Sequence, residues 1–194
     1  MRHSLLHKVH YIFASFIFLL PMQAACADGP WQIGGRVHYG FLWPHRPSSW
    51  ILIQGHSVAL EAFAERQILG DRAWHHHYRG PSYGVGLMYA GMADPDHIGA
   101  VVRVLPYLHL PLVKGARSSF GMQLGWGLGF VAKPFERRTN SKQIAIGSTV
   151  NTAIQLMAQY RLQLGRMMLN TGLGLDHWSN GSYALPNLGL NLLC

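Results

Sequence analysis

Phe120-Gly121-Met122-Gln123-Leu124-Gly125-Trp126-Gly127-Leu128-Gly129-Phe130 carries a large apolar side chain at every even position and glycine or glutamine at every odd one. In an extended chain successive side chains point to opposite faces, so this stretch is a strand with one greasy face and one nearly bare face. A soluble sheet would carry charge on its second face. Glycine and amide there suit a strand with lipid outside and a tight interior behind it.

The same pattern recurs along the chain. Trp31, Ile33, Val37, Tyr39 and Phe41 oppose Gln32, Gly34, Arg36, His38 and Gly40, and Pro44 and Pro47 end that strand. A weaker strand with mixed alternation is predicted from about Ile51 to Glu65, followed by a loop from Gly70 to Gly80. Tyr83, Val85, Leu87 and Tyr89 form the next stripe, with tyrosines at both ends as at membrane interfaces. After an Asp94-Pro95-Asp96 turn, Ile98, Ala100, Val102 and Val104 share a face opposite Arg103, and Pro106 and Pro111 bracket that strand's end. Beyond the charged loop Lys133 to Lys142, Val150, Ile154, Leu156, Tyr160, Leu162 and Leu164 alternate with Asn151, Gln155, Gln159, Arg161 and Gln163. Gly165-Arg166 turns into a strand through Leu169, Thr171, Leu173 and Leu175, and a short strand from Leu188 ends the chain.

These segments count to about eight strands, each near the ~10 residues that cross a bilayer obliquely. Backbone groups in lipid must all be paired, so such strands must close. The predicted fold is therefore all-β: an antiparallel eight-stranded transmembrane β-barrel of the outer membrane. A soluble β-sandwich is the alternative, disfavoured by the uncharged second face. The short last strand makes the seam with the first strand the expected weak point of closure.

Composition agrees. Of 194 residues 49% are apolar and only 12% charged, with 22 glycines. Residues 1–27 read as a signal peptide, leaving 28–194 as one barrel domain. Arg2 and Lys8 give a basic start, Tyr11 to Leu20 an apolar run, and Ala25-Cys26-Ala27 a cleavage site. A lipoprotein signal acylated at Cys26 is the alternative, but Gln23 stands where an aliphatic residue is expected. Cleavage would leave Cys194 as the only thiol, so no intrachain disulfide is expected. The formal charge of +8 falls to +6 without Arg2 and Lys8. That balance suits anionic partners or is ordinary surface charge; an export signal disfavours nucleic acid and makes lipid phosphate the better candidate partner.

The chemistry-bearing stretch is Asp176-His177-Trp178-Ser179-Asn180-Gly181, followed by Pro186-Asn187-Leu188-Gly189-Leu190-Asn191. His177 and Ser179 continue the apolar parity of Leu173 and Leu175. They share a face with Cα atoms roughly 7 Å apart, within reach of a proton transfer from hydroxyl to imidazole. A hairpin centred near Ala184 brings Asn191 opposite His177. Asn180 and Asn187 are candidate amide donors to an oxyanion. The alternative is a polar strand end at a barrel rim.

The same residues resemble the lipid A 3-O-deacylases, outer-membrane acyl hydrolases of the PagL type. Ile146-Gly-Ser-Thr-Val-Asn151, Pro81-Ser-Tyr-Gly-Val-Gly86 and His97-Ile-Gly-Ala100 resemble less specific upstream segments of that family. The resemblance implies hydrolysis of a 3-linked hydroxyacyl ester of lipid A in lipopolysaccharide, at a lipid-facing site and with no metal. Ser179 would be the nucleophile, His177 the general base, and Asn187 the chief oxyanion helper with Asn180. The family's triad acid falls at Asn191. An Asn can orient a His, as in Cys-His-Asn sites, but supplies no charge to an imidazolium. Alternation in the last strand would also turn Asn191 inward, because Leu188, Leu190 and Leu192 form the greasier face.

Other constellations are weaker. His75 and His77 share a face on an extended chain and would suit a metal, but a solvated loop is the better reading. Arg36, Arg103 and Arg161 fall on interior faces and invite ion pairs with Glu61 or Glu65. Lys133, Arg137, Arg138 and Lys142 suit lipid A phosphates at the outer rim and a plain solvated loop equally well. No phosphate-binding glycine loop, zinc-protease helix or nucleotide signature occurs, so no cofactor is expected. The alternative to an esterase is a non-catalytic small barrel with a structural or lipid-binding role.

Overall fold

A computed structural model describes residues 27–44, 46–70 and 72–194. The signal-peptide and Cys26 readings lie outside the described residues. Eight antiparallel strands form one closed barrel in simple sequence order. They are β1 (Ala27–Leu42), β2 (Ser57–Leu69), β3 (Ser82–Gly91), β4 (Ala100–Lys114), β5 (Ser118–Val131), β6 (Val150–Leu164), β7 (Met167–Ser179) and β8 (Leu190–Leu193). Neighbours in sequence are neighbours in space, as up-and-down hairpins require.

The alternation read from sequence is the inside–outside alternation of the wall. Ile33, Val37, Leu60, Leu87, Leu124, Trp126, Ile154, Leu156 and Leu173 all project outward and are exposed. An apolar belt of this extent, with exposed side chains on each of β1 to β7, fits hydrocarbon, not water. The inner face differs along the axis. Midway, Glu61 receives Arg103 Nη2 at 3.1 Å, Arg36 Nη1 at 3.3 Å and His38 Nε2 at 2.8 Å. Arg103 also pairs with Asp176. Nearer the β1 start, Arg161 clamps Glu65 through both terminal nitrogens at 2.7 and 3.0 Å, and Tyr107 donates to the same carboxylate at 3.0 Å. The ion pairs expected of the three arginines are thus present. Toward the other end the interior turns apolar. Leu42, Leu52, Met88, Ile98, Leu105, Ile146, Trp178, Leu190 and Leu192 belong to one buried cluster that plugs the barrel.

Several expectations are corrected. The strand predicted from Ile51 begins at Ser57; Pro47–Leu52 is a 3-10 turn, opened by its proline, that buries Ser49 and Leu52. Within the Gly70 to Gly80 loop, Ala73–His77 is a short helix, α1. Helical geometry points His75 and His77 apart, and no group of three metal-binding side chains occurs among the described residues. Pro106 and Pro111 do not end β4, which continues to Lys114. The ladder to β5 is interrupted beside each: pairing skips from Val104 to Tyr107, and the register shifts between Pro111 and Val113. A proline is tolerated where no ladder bond is asked of it.

The seam between β8 and β1 closes the barrel and is the weak point expected, held by the fewest paired positions of any seam. Phe41 and Leu42 pair with Leu193 and Leu192, and the Trp43 amide donates to the Asn191 carbonyl at 2.9 Å. The loops at this end are 43–56, 92–99, 132–149 and 180–189; the opposite end holds 70–81, 115–117 and 165–166. The β7–β8 connection therefore lies at the end that carries the apolar plug.

Candidate functional site

Within β7 the alternation separates two jobs. Asp176 and Trp178 point inward and are fully buried. Asp176 joins the ion network through Arg103, and Gln155 Nε2 approaches its other oxygen at 3.5 Å. The Trp178 indole lies over Gly129 of β5, where any Cβ would collide with Cδ1 of the ring. His177 and Ser179 are held between these two anchors and face outward, half-buried.

The hairpin register puts His177 opposite Asn191. Leu190 and Leu192 turn inward to join the plug, so Asn191 turns outward, contrary to the parity argument. That argument took the greasier face as the lipid face, whereas at this end of the barrel the interior is apolar too. Asn191 Oδ1 lies 2.7 Å from His177 Nδ1. The amide is oriented by its other end, since Nδ2 donates to the Trp43 carbonyl at 3.4 Å. An acceptor at Nδ1 fixes the proton there and leaves the lone pair on Nε2, the form a general base needs.

Ser179 meets the loop. Asn187 Nδ2 donates to Ser179 Oγ at 3.0 Å, and the Gly181 N–H approaches the same oxygen at 3.3 Å. Asn187 is itself oriented: its Oδ1 accepts the Asn180 N–H at 3.0 Å. Two N–H groups therefore converge on the hydroxyl, which itself lies 3.3 Å from Asn187 Oδ1, and both stand beside the place a carbonyl under attack by that hydroxyl would occupy. The Asn180 side chain is not one of them. It is buried, with Nδ2 donating to Ser148 Oγ at 2.8 Å and to the Ala184 carbonyl at 2.9 Å, while Oδ1 accepts the Ser182 N–H at 2.9 Å. Its part is to hold the loop.

The β5–β6 loop supports this arrangement. Ile146 bridges to Asn187, and the Leu188 and Gly189 amides both donate to the Ala145 carbonyl at 2.9 and 3.0 Å. Ser148 Oγ, which receives Asn180, donates on to Asn151 Oδ1 at 2.9 Å. Sequence reading marked Ile146 to Asn151 as a weak segment without assigning it a task; it is the outer brace of the site. Of the other segments, His97-Ile-Gly-Ala100 closes the β3–β4 loop at the site's end, and Pro81 to Gly86 begins β3 at the far end. In the cationic loop Lys133 is spent on the Pro95 and Asp96 carbonyls at 2.9 and 3.2 Å, while Arg137, Arg138 and Lys142 stay exposed.

The site is thus an imidazole, a hydroxyl and two converging N–H donors on the lipid-facing surface, beside exposed Trp43, Ile154 and Leu185. This donor set suits acyl transfer at an ester. No curated protein and no solved structure matches the chain. The family model described as "Lipid A 3-O-deacylase (PagL)" matches residues 58–193. That span runs from β2 through β8 and contains His177, Ser179, Gly181, Asn187 and Asn191, and on it the chain belongs to the lipid A 3-O-deacylase (PagL) family.

Proposed function

We propose that this protein is an outer-membrane serine esterase that removes the 3-linked hydroxyacyl chain from lipid A of lipopolysaccharide, after loss of residues 1–27. Ser179 Oγ attacks the acyl carbonyl while His177 Nε2 takes its proton. Asn187 Nδ2 and the Gly181 N–H receive the charge that develops on the carbonyl oxygen. Collapse returns the proton from His177 to the departing sugar oxygen and leaves an acyl-serine. Water, deprotonated by His177, then releases the hydroxy fatty acid and restores Ser179. Asn191 keeps the imidazole in the productive tautomer.

The observation that carries this reading is that the His177–Asn191 pair and the Ser179–Asn187 pair stand two residues apart on the same outward, lipid-facing side of β7, away from the plugged interior. A fatty ester approaching from the bilayer reaches them without entering the barrel. The test is the mass of lipid A from cells expressing the chain, beside a Ser179→Ala form verified as inserted. Loss of one hydroxyacyl chain only with the intact serine is expected. Unchanged lipid A with both forms inserted would leave a non-catalytic barrel as the better description.

A further inference from the structure

Asn191 holds the His177 imidazole by one atom, and a ring held by one hydrogen bond still turns about its side-chain bonds. What stops it is backbone. Gly189 is buried with φ +81°, and a Cβ built on it would lie 2.7 Å from His177 Cε1 and 3.5 Å from Nδ1. The imidazole therefore fills the space that a side chain at 189 would need. Gly189 cannot retreat easily, because its N–H and that of Leu188 are both tied to the Ala145 carbonyl of the β5–β6 loop.

We infer that Gly189 is a positioning residue for the His177 base: its bare backbone is the wall against which the ring rests, and the β5–β6 loop keeps that wall in place. The inference rests on the reading of His177 as the base for Ser179. Asn191 and Gly189 then act on the ring from different directions. The first sets which nitrogen carries the proton; the second sets where Nε2 points. A methyl group at 189 would push the ring off its Asn191 partner or swing Nε2 away from Ser179, with the ester-binding surface intact.

The experiment uses the full chain in outer membranes containing lipid A. The parent is compared with Gly189→Ala, Ser179→Ala and Gly165→Ala. Gly165 also has positive φ (+62°), but a Cβ there meets nothing within 4 Å, so it controls for backbone strain in a distant turn. Gly189→Ala is expected to lower kcat about 100-fold with KM changed less than about twofold, the signature of a misplaced reacting group. Gly165→Ala should keep the parent's kcat. A parental kcat in Gly189→Ala, beside an inactive Ser179→Ala, overturns the role of Gly189 alone. Activity in Ser179→Ala overturns the esterase reading, and this inference with it. Should Gly189→Ala not reach the folded barrel, His177→Ala/Gly189→Ala decides, since removing the ring frees the space. Recovery of the heat-modifiable folded band in the double variant supports the contact. Failure of the double variant overturns it.

Discussion

Asn191 Oδ1 stands 2.7 Å from His177 Nδ1, in the place where a triad carboxylate would accept the imidazole proton. The neutral amide gives orientation without charge. Asn191→Asp keeps the shape of the side chain and adds the charge. It is expected to raise kcat about tenfold or more, since an Asp-to-Asn change in a serine triad costs up to ~10⁴ in rate. Asn191→Leu should lower kcat below the parent. Rates of lipid A deacylation in membranes containing each inserted variant check both.

Asn187 and Asn180 should separate in the property each changes most. Asn187 Nδ2 is aimed at Ser179 Oγ, so Asn187→Ala is expected to reduce kcat by about 10²–10³, the usual cost of losing one oxyanion donor. Asn180→Ala instead releases Ser148 and Ala184 and loosens the β7–β8 loop. Protease cutting within 180–189 should rise in Asn180→Ala, and rise less in Asn187→Ala, which frees only the Asn180 N–H and the Ser182 hydroxyl of the loop.

Arg103 is the common partner of Glu61 and Asp176. Arg103→Ala leaves the buried Asp176 carboxylate without its cation, while Glu61 keeps Arg36 and His38. Breaking a buried pair in this way costs about 3–5 kcal/mol. The midpoint of urea unfolding, followed by loss of the heat-modifiable band, should fall accordingly. Arg103→Lys restores a charge but not the two-pronged geometry and should lie between.

Trp178 fills the plug between β5 and β7. Trp178→Ala empties a fully buried site and is expected to cost about 3–5 kcal/mol. Because Trp178 separates His177 from Ser179, turnover should fall as well. Filling the space at the other partner, with Gly129→Ala, should lower stability through displacement of the same indole.

Much of this was legible in the sequence because the wall has a strict period of two. Phe120 to Phe130 and Val150 to Leu164 need no tertiary information to declare their faces, and a hairpin about Ala184 fixes His177 opposite Asn191. Parity failed at Leu190 and Leu192, since it assumes that one face alone is apolar, and the plug makes both faces apolar at this end. Prolines misled at Pro106 and Pro111 because their tolerance depends on gaps in a neighbouring ladder, which only pairing reveals. Asn180 looked like a donor to the site by its place beside Ser179. Its partners, Ser148 and Ala184, come from the β5–β6 loop and from a turn whose shape no local pattern specifies. The Gly189 contact was invisible for the same reason: it is a close approach between backbone and ring, not a side-chain pattern.

The division of β7 into inward anchors and outward reactive groups has an evolutionary consequence. Folding and turnover are written in alternate letters of one short word: Asp176 and Trp178 belong to the first, His177 and Ser179 to the second. Selection can therefore change the outward letters without rewriting the inward ones. A lineage that lost its need for the hydrolysis would erode at every second position and still assemble its barrel, and one adapting to a different acyl ester could change its outward letters while inheriting the inward ones intact.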